Sequence, residues 1–543
     1  MRVLLLSTPH PLEENPLPPL SLAYLTAVLE AEGVEVEVLD FLVSRYSPAR
    51  LRRALADFRP QLVGVTCVTM TYPRAARMLR VVKAFDPAVV TVIGGPHVTF
   101  TAEETLRRAP WTDVVVLGEG EDTIVELAAA VDSGRDFAEV AGIAFRSGDT
   151  VTTTAPRPLI SDLDRLPLPA RHRLPLARYQ ALGMPCTVVT SRGCPYGCLF
   201  CSAHRMFGRR VRFRQPGLVV DEIERIRRDL GFRQINIADD TFTVDHRHAE
   251  QICDEILRRN LDLDWNAYAR VDNMTPDLAA LMKRAGCNTV LFGIESADET
   301  ILKTIGKGIT PDDMRRGVAI AAGAGLRVYC SFIIGLPGES RQTIAASDRF
   351  AGEINADFGA EYGYHILAPL PGTDLYHRAA DYGLRITSRD WARYDANQAI
   401  TEQATMSRAL AEEALASYDE ILAHAWEEIR CRAAAGDAAS IERLEGNRRQ
   451  AFVWALLEKG LIETAGRLSV AVARCPAEAE AVLAKRVARR LRLPEKAVRR
   501  ELRTLVRAGL IELGHDEGGA GWRWRGERSG ERHRPASLPS APR

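Results

Sequence analysis

The chain has 543 residues, of which 46% are hydrophobic and 26% charged, and its 71 basic residues balance its 71 acidic ones. This length exceeds what one hydrophobic core usually organises, so we expect several domains. The balanced charge gives no electrostatic reason to expect nucleic acid as the main partner. The sequence contains neither an apolar run long enough to span a membrane nor a secretory signal, so we expect a cytoplasmic protein.

From residue 1 to about 145, short β-rich runs alternate with stretches of helical periodicity. Five strands are predicted: Val3 to Leu6, Val34 to Leu39, Leu62 to Val68, Val89 to Ile93 and Val114 to Leu117. This alternation predicts an α/β domain with a parallel, doubly wound sheet of the flavodoxin or Rossmann type. The proline-rich stretch 146–182 is typical of an ordered linker.

Strands and helices alternate again between residues 183 and 400. Six strands are predicted: Thr187 to Thr190, Gln234 to Ile237, Asp264 to Tyr268, Thr289 to Phe292, Val328 to Ile334 and Tyr362 to Leu367. With five intervening helical stretches, they favour a partial (β/α)6 barrel. Residues 401–470 have a helical pattern, and we expect them to close the open side of this barrel.

The C-terminal region is predicted to form a small separate module. Residues 471–515 show the helix, turn, helix and strand rhythm of a winged helix. Its basic faces could contact nucleic acid or a leader peptide, although solvated arginines on a small helical domain are the favoured interpretation. We expect residues 516–543 to be disordered, with Trp522 and Trp524 as a possible contact site.

Three of the ten cysteines, Cys194, Cys198 and Cys201, lie within eight residues directly after the first predicted barrel strand. Thiolates in such a loop suit zinc or an iron–sulfur centre. Zinc would normally take a fourth ligand, which His204 could supply. A [4Fe–4S] cluster held by three cysteines would instead leave one iron open to a small molecule. The other seven cysteines are expected to be small buried apolar residues.

The spacing Cys-x3-Cys-x2-Cys, with Phe200 before the third cysteine, resembles the signature of the radical S-adenosylmethionine (SAM) superfamily. The resemblance implies a [4Fe–4S] cluster that reductively cleaves SAM to a 5′-deoxyadenosyl radical, which removes a hydrogen atom from the substrate. It also implies a set of residues that bind SAM, namely Phe200, Asp239, Asp240, Arg270, Glu295, Ile333 and Gly335.

The family gives each of these positions a role. Asp239 and Asp240 would receive the methionyl amine, although this sequence departs from the common Gly-Gly-Glu form and the two carboxylates could instead cap a helix. Arg270 would hold a carboxylate, with a surface salt bridge as the alternative. Glu295 would bind the ribose hydroxyls unless its role is structural. The strand and turn at 332–335 would support the adenine, unless the glycine serves the turn alone.

Three loops of the N-terminal domain follow predicted strands, where parallel sheets bind their ligands. The stretches PPLSLAYLTAVLEAEGVEVEVLD, VIGGPHVTF and VVLGEGE resemble the cobalamin-binding domains that precede the barrel in one large subgroup of radical SAM enzymes. The resemblance implies that cobalamin binds at Thr66, Thr69, Gly94, Gly95, Gly118 and Glu119.

The cobalt-ligating motif Asp-x-His-x-x-Gly is absent, because Asp40 is followed by Phe-Leu-Val. This absence implies either that no histidine of that motif ligates cobalt or that the domain has lost its cofactor. We expect His97 to be a helix-capping or surface residue rather than a ligand.

The resemblance implies methyl transfer to an unactivated carbon of a small molecule, with two molecules of SAM consumed and an external reductant of the flavodoxin or ferredoxin type. An oxidative cyclase or ring rearrangement of a tetrapyrrole-like substrate is the alternative within enzymes. Methylthiolation of transfer RNA is disfavoured, since only Cys67 precedes Cys186 and a second cysteine triplet is missing. A non-catalytic sensor that links cobalamin to DNA is the alternative from another class.

Overall fold

The computed structural model describes residues 1–9, 16–148, 150–469, 474–516 and 519–526. The chain forms two compact units. The first comprises Met1–Leu42, Tyr46–Leu174 and Met184–Glu445, and the second comprises Val43–Arg45, Pro175–Gly183 and Gly446–Arg543. The boundary at residue 445 lies inside the helix Ala438–Glu458. None of the helices in the described ranges is both long and apolar enough to cross a bilayer.

The N-terminal half of the first unit is built on a seven-stranded sheet with strand order β2-β1-β3-β4-β5-β6-β7. Its strands are β1 Arg2–Leu6, β2 Glu35–Leu39, β3 Leu62–Thr66, β4 Val90–Gly94, β5 Val114–Val116, β6 Ile143–Ser147 and β7 Thr150–Thr153. Strands β1 to β5 are parallel, as predicted. Strands β6 and β7 add an antiparallel edge, so the beginning of the predicted linker belongs to the sheet.

Helices cover both faces of this sheet, which makes it doubly wound. Alternate residues of β1 enter different cores, with Leu4 and Leu6 on one face and Val3 and Leu5 on the other. The first face is covered by Pro48–Phe58, Tyr72–Phe85 and Ala102–Arg108. The second is covered by Leu20–Ala31 and Glu121–Ser133.

The second half of the first unit contains the predicted six-stranded partial barrel. In chain order, the strands of this half are β8 Cys186–Val188, β9 Ser191–Arg192, β10 Arg212–Phe213, β11 Gln234–Ile237, β12 Asp264–Ala269, β13 Cys287–Glu295, β14 Arg327–Ile334 and β15 Glu361–Ile366. The barrel sheet has the order β15-β14-β13-β12-β11-β8 and is parallel throughout. Strands β9 and β10 form a separate antiparallel pair.

Helices follow the barrel strands and leave one face of the sheet partly open. They are Ala203–Phe207, Pro216–Leu230, His246–Arg258, Pro276–Arg284, Glu299–Thr304, Pro311–Gly323 and Arg341–Phe358. On β14, Val328, Cys330 and Phe332 are buried, while Tyr329 and Ser331 between them are half-buried. This alternation gives the sheet one helix-covered face and one face that lines the barrel interior.

Further elements complete the first unit beyond the barrel. They are Asp374–His377, β16 Arg385–Ile386, β17 Thr401–Glu402 and the helix Arg408–Ala434. Tyr418 of that last helix donates a hydrogen bond to the carbonyl of Tyr362 in β15, at 2.5 Å. Cys431 of the same helix and Cys475 are exposed, so the expectation of burial was wrong for these two cysteines.

The second unit contains the helices Leu176–Ala181, Leu461–Ala465, Pro476–Leu491 and Glu495–Arg507, and the strands β18 Arg467–Leu468, β19 Ile511–Asp516 and β20 Gly519–Trp524. Two helices followed by the hairpin β19–β20 match the predicted order of helix, turn, helix and strand. The expectation of a disordered tail from residue 516 was wrong for 519–526, because Trp522 and Trp524 are buried and belong to the core of this unit rather than to an exposed contact site. Residues 527–543 lie outside the described part of the chain.

Replacing Trp524 by alanine is expected to destabilise the second unit by about 3 to 5 kcal/mol, because the indole is 1% exposed and its removal leaves a cavity. The measurement is chemical unfolding of the full chain, followed by far-ultraviolet circular dichroism. Arg489→Ala is the control at an exposed position of the same unit and is expected to change stability by less than about 0.5 kcal/mol. Equal effects of the two substitutions would contradict the placement of Trp524.

Candidate active site

The cysteine loop lies between β9 and β10, beyond the carboxyl end of β8. Backbone hydrogen bonds hold the loop at two points, from Cys194 N–H to the carbonyl of Gly208 (3.1 Å) and from Leu199 N–H to the carbonyl of Ile305 (3.0 Å). Gly193 has φ +111°, and a Cβ at this position would lie 2.7 Å from the carbonyl oxygen of Arg210. The residue before Cys194 must therefore be glycine if the loop is to keep this path.

The three predicted cluster ligands share this loop. Cys198 is buried, whereas Cys194 and Cys201 are half-buried. Burial raises the pKa of the Cys194 thiol and raises the pKa of Cys201 to about 11. A metal centre bound to Cys194 and Cys201 would therefore have to displace the protons of these two thiols.

The donors available for a metal centre here are the three thiols of the cysteine loop. Zinc with His204 as its fourth ligand stays the alternative. In a [4Fe–4S] cluster each thiolate ligates a different iron, so three thiols spread along one loop fit this group.

Asp239 and Asp240 follow β11 but have different environments. The carboxylate of Asp239 is 2% exposed and accepts hydrogen bonds from Thr190 N–H (2.6 Å) and from the hydroxyls of Thr190 and Ser191. Burial raises the pKa of Asp239 against these hydrogen bonds, which lower it. Asp239 thus fastens the strand that leads into the cysteine loop. Asp240 is exposed and lines the cavity described below, so the role predicted for the pair fits Asp240 better.

The side chain of Arg270 is buried, and it forms a salt bridge with Asp272, which is exposed. Its guanidinium bonds both carboxylate oxygens of Asp272 at 3.0 Å and the carbonyl of Lys307 at 2.9 Å. It also lies over the ring of Tyr196 in the cysteine loop, 3.8 Å from the ring centroid. These contacts brace the loop against the barrel, while a role for Arg270 in holding SAM stays a prediction.

Glu295 ends β13 with an unusual backbone, at φ +68°. Its buried carboxylate receives a 2.8 Å hydrogen bond from Lys307 Nζ. A Cβ on Gly293 would lie 2.4 Å from Glu295 Oε1, so the glycine gives this ion pair its space. A non-glycine residue held in the left-handed region is a feature typical of functional sites, which fits the predicted ribose contact.

The predicted adenine support is the end of β14. Ile333 is half-buried beside His365, and the turn residue Gly335 has φ +98°. The Gly335 N–H donates to the carboxyl group of Glu339, which is 2% exposed. Burial raises the pKa of Glu339 to about 8. Phe200 is half-buried in the cysteine loop, and its role in binding SAM stays a prediction.

A cavity of about 570 Å³ lies between the N-terminal sheet and the cysteine loop. Thr66, Gly94, Gly95 and Gly118 line it on the sheet side, and Arg192, Cys201 and Asp240 are among the residues on the barrel side. Apolar residues of the sheet, including Leu5, Val65, Val92 and Val116, form its floor. Five of the six residues predicted for cobalamin, all except Thr69, thus border a largely apolar slot that opens toward Cys201 of the cysteine loop.

Gly95 keeps this slot open. Its φ is +110°, and a Cβ would lie 2.3 Å from the carbonyl oxygen of Cys67. A backbone without side chains at Gly94, Gly95 and Gly118 allows close approach of a bulky, flat group. The residues present therefore fit the cobalamin that the sequence resemblance implies.

Thr69 and His97 contact each other inside the domain, at 3.3 Å between Thr69 Oγ1 and His97 Nδ1. His97 is 1% exposed and packs between the rings of Tyr72 and Trp391. The expectation that His97 is a capping or surface residue was wrong, because the short helix Pro96–Phe100 turns it into the core. Thr69 is buried next to His97 and does not line the cavity, so the position of Thr69 does not support a contact with cobalamin.

The carboxylate of Glu119 borders the cavity, but both of its oxygens are already engaged. Arg212 Nη1 lies 3.0 and 2.9 Å from the two oxygens, Arg192 Nη1 lies 3.0 Å from one, and Ile160 N–H donates to the other at 2.8 Å. Arg192 and Arg212 were missed by the sequence reasoning. Arg192 stands two residues before Cys194, which is the one local signal that could have drawn attention to it.

Comparison with known proteins identifies two domain families along the chain. The B12 binding domain model matches residues 14–128, and the radical SAM superfamily model matches residues 188–351. An uncharacterised methyltransferase of Pyrococcus horikoshii is 38% identical over 378 residues, which cover 69% of this chain and 81% of the relative. The anaerobic magnesium-protoporphyrin IX monomethyl ester cyclase of Rubrivivax gelatinosus is 32% identical, over 72% of this chain and 71% of the relative.

Among solved structures, the radical S-adenosylmethionine methyltransferase TsrM of Kitasatospora setae, with cobalamin and a [4Fe–4S] cluster bound, has a similar fold. The match has a TM-score of 0.63 at 23% identity and covers 76% of this chain and 80% of TsrM.

Replacing Gly95 by alanine is expected to weaken cobalamin uptake at least tenfold, because the new Cβ collides with the carbonyl of Cys67 and forces the loop into the cavity. The measurement is cobalamin bound per chain after equilibrium dialysis. Gly134→Ala is the matched control, since Gly134 has φ +71° with no atom within 4 Å of the added Cβ. Equal uptake by the two variants would contradict the proposed role of this loop.

Glu339→Gln is expected to make the stability of the chain less dependent on pH. The folded pKa of Glu339 is raised from 4.5 to about 8, so its contribution is present below pH 4.5 and is lost as pH rises to about 8. The wild type should therefore lose stability relative to the variant across this window, by at most about 1.4 kcal/mol per pH unit. Parallel pH profiles of the unfolding free energy would contradict the burial of this carboxyl group.

Proposed function

Because the chain belongs to the radical S-adenosylmethionine enzymes that carry an N-terminal B12-binding domain, we propose that it methylates an unactivated carbon of a small molecule. The cofactors of this family are a [4Fe–4S] cluster, SAM and cobalamin. The observation that carries the proposal is the single cavity bordered by the glycine loops on one side and by Cys201 of the cysteine loop on the other. A group held at the glycine loops can therefore act on a substrate placed at the barrel mouth.

We propose a place for two of these cofactors. Cys194, Cys198 and Cys201 would hold the cluster, and the loops at 94–95 and 118 would hold cobalamin. When bound, the cluster and SAM supply a 5′-deoxyadenosyl radical and cobalamin supplies a methyl group. The chain's own contribution is to place these groups against the substrate and to exclude water from the space between them.

The open face of the barrel offers the substrate a lining that is both aromatic and polar. Tyr268 is 44% exposed on β12, and Leu291 and Tyr329 pair next to each other on β13 and β14. Ser331 and His365 lie nearer the carboxyl ends of their strands. Such a surface packs against an apolar or flat molecule and offers it hydrogen bonds at the end nearest the cysteine loop.

A tetrapyrrole cyclase is the second candidate, and the cyclase of Rubrivivax gelatinosus is the observation that favours it. The two reactions differ in their cofactor products. Methyl transfer converts one SAM to S-adenosylhomocysteine for each one cleaved to 5′-deoxyadenosine, whereas cyclisation yields no S-adenosylhomocysteine. The methyltransferase of Pyrococcus horikoshii, at higher identity, favours methyl transfer.

The cluster also needs an external one-electron donor. Exposed arginines, Arg209 and Arg210, lie immediately before β10 and beside the cysteine loop. A positive surface there would attract an acidic electron carrier. We therefore assign a cytoplasmic reductant of the flavodoxin or ferredoxin type to this side of the molecule.

The function is tested by incubating anaerobically reconstituted protein with reductant, cobalamin and SAM labelled in its methyl group. With methylation, label enters cobalamin and S-adenosylhomocysteine accumulates. With the cyclase or the sensor, cobalamin stays unlabelled, and the sensor in addition forms no 5′-deoxyadenosine.

Cys198→Ser is expected to abolish 5′-deoxyadenosine formation and to lower iron uptake severely, because hydroxyl oxygen is a poor ligand for iron in a cubane. The measurement is iron and sulfide content together with product formation under dithionite. Cys431→Ser is the control, since Cys431 is exposed on a helix outside the cysteine loop. Retention of wild-type iron content and activity by the Cys198 variant would contradict the cluster assignment.

A further inference from the structure

Four charged side chains join the cysteine loop to the glycine loop of the N-terminal domain. Arg192, in β9, and Arg212, in β10, come from the barrel half. Glu119 lies in the loop after β5, and Glu121 is the first residue of the helix that follows it. We refer to these four residues as the buried clamp. All four are nearly removed from solvent, with side chains 4 to 13% exposed.

The two arginines of the buried clamp form short ion pairs with its two glutamates. Arg192 bridges both acids, with Nη1 3.0 Å from Glu119 and Nη2 2.6 Å from Glu121. Arg212 adds the contacts to Glu119 described above, and also donates to the carbonyls of Ile160 (2.6 Å) and Phe207 (3.0 Å). Charge-assisted hydrogen bonds, which are short and directional, thus join the β9–β10 pair to the segment that follows β5.

The buried clamp lies between the wall of the cavity and the cysteine loop. Gly118 and Gly120 flank Glu119 on the cavity wall, and Arg192 is separated from Cys194 by Gly193 alone. A displacement of either acid therefore moves the wall that faces the predicted cobalamin, relative to the loop that carries the predicted cluster. Glu119 itself has no free oxygen for a ligand, because arginines and a backbone N–H use both.

We infer that the buried clamp consists of positioning residues, which set the separation between the cobalamin site and the cluster site across the cavity. In this assignment Glu119 acts through Arg192 and Arg212 rather than by binding cobalamin. The inference rests on the proposed function, since it concerns the relative placement of the two cofactors of that reaction.

The alternative is that the four charges serve only to stabilise the fold. Buried ion pairs are often no more stabilising than apolar residues of similar size, so stability alone is a weak reason for burying four charges. A planar guanidinium that bridges two carboxylates does, however, fix orientation and distance. A stabilising role predicts lower stability without a change of cofactor separation.

The test uses Glu119→Gln in the full chain, reconstituted with both cofactors. Glutamine keeps the size of the side chain but removes the charge that both arginines share. Pulsed electron paramagnetic resonance measures the magnetic interaction between cobalt(II) in cobalamin and the reduced cluster, which depends steeply on their separation. Glu126→Gln is the matched control, because Glu126 pairs with Arg157 in the N-terminal half, away from the cysteine loop.

The wild type and the Glu126 variant are expected to show the same single narrow separation, and the Glu119 variant is expected to lose it while keeping both cofactors. An unchanged separation in the loaded Glu119 variant would overturn the inference, and so would loss of cobalamin alone, which would make Glu119 a ligand. If the Glu119 variant fails to fold, Glu121→Gln, which removes one contact of Arg192, takes its place with the same expected broadening. Failure of the proposed function is read separately, from the absence of methyl label on cobalamin and of S-adenosylhomocysteine in the wild type, neither of which enters the measurement of the separation.

Discussion

The carboxyl ends of two parallel sheets border one cavity, and the ion pairs that join them there are the constraint on which the rest of the structure depends. Parallel strands place all of their following loops at one edge, and each sheet alone would expose its loops to solvent. Contacts between Arg192, Arg212, Glu119 and Glu121 instead turn the two edges toward each other. The glycine loops and the cysteine loop are thereby parts of a single site.

Much of the remaining architecture serves to hold the cysteine loop in place. Arg270 stacks on Tyr196 of the loop while bonding Asp272, and Asp239 accepts hydrogen bonds from Thr190 and Ser191, which lead into the cysteine loop. The pair of Lys307 and Glu295 fills the space that Gly293 leaves open. The charged groups of Arg270, Asp239, Glu295 and Lys307 are buried and hydrogen-bonded, an arrangement that keeps a site rigid before its ligands bind.

The local patterns could be predicted from the sequence, and the long-range contacts could not. The cysteine spacing, the alternation of strands and helices and the paired glycines are all encoded within a few residues of one another. By contrast, Glu119 and Arg192 are 73 residues apart, and no periodicity links them. Glu119 was therefore predicted as a cobalamin residue on the strength of its neighbouring glycines, although its carboxylate is taken by arginines.

Two other errors have physical explanations of the same kind. His97 lies in a helix of five residues, too short for periodicity to show that one face is buried. The composition of the C-terminal tail concealed a strand, yet Trp522 and Trp524 alternate with arginines at the spacing of two that marks a half-buried strand. The composition of this segment is typical of a disordered tail, whereas the alternation of tryptophan and arginine indicates the strand that the structure contains.

The shared cavity is tested most directly by an anaerobic crystal structure of the reconstituted chain, with anomalous diffraction recorded at the iron and cobalt edges. We expect an iron signal bounded by Cys194, Cys198 and Cys201, and a cobalt signal in the same cavity, on the side of Gly95 and Gly118. Iron bound elsewhere, or cobalt outside that cavity in a chain that holds both metals, would contradict this expectation.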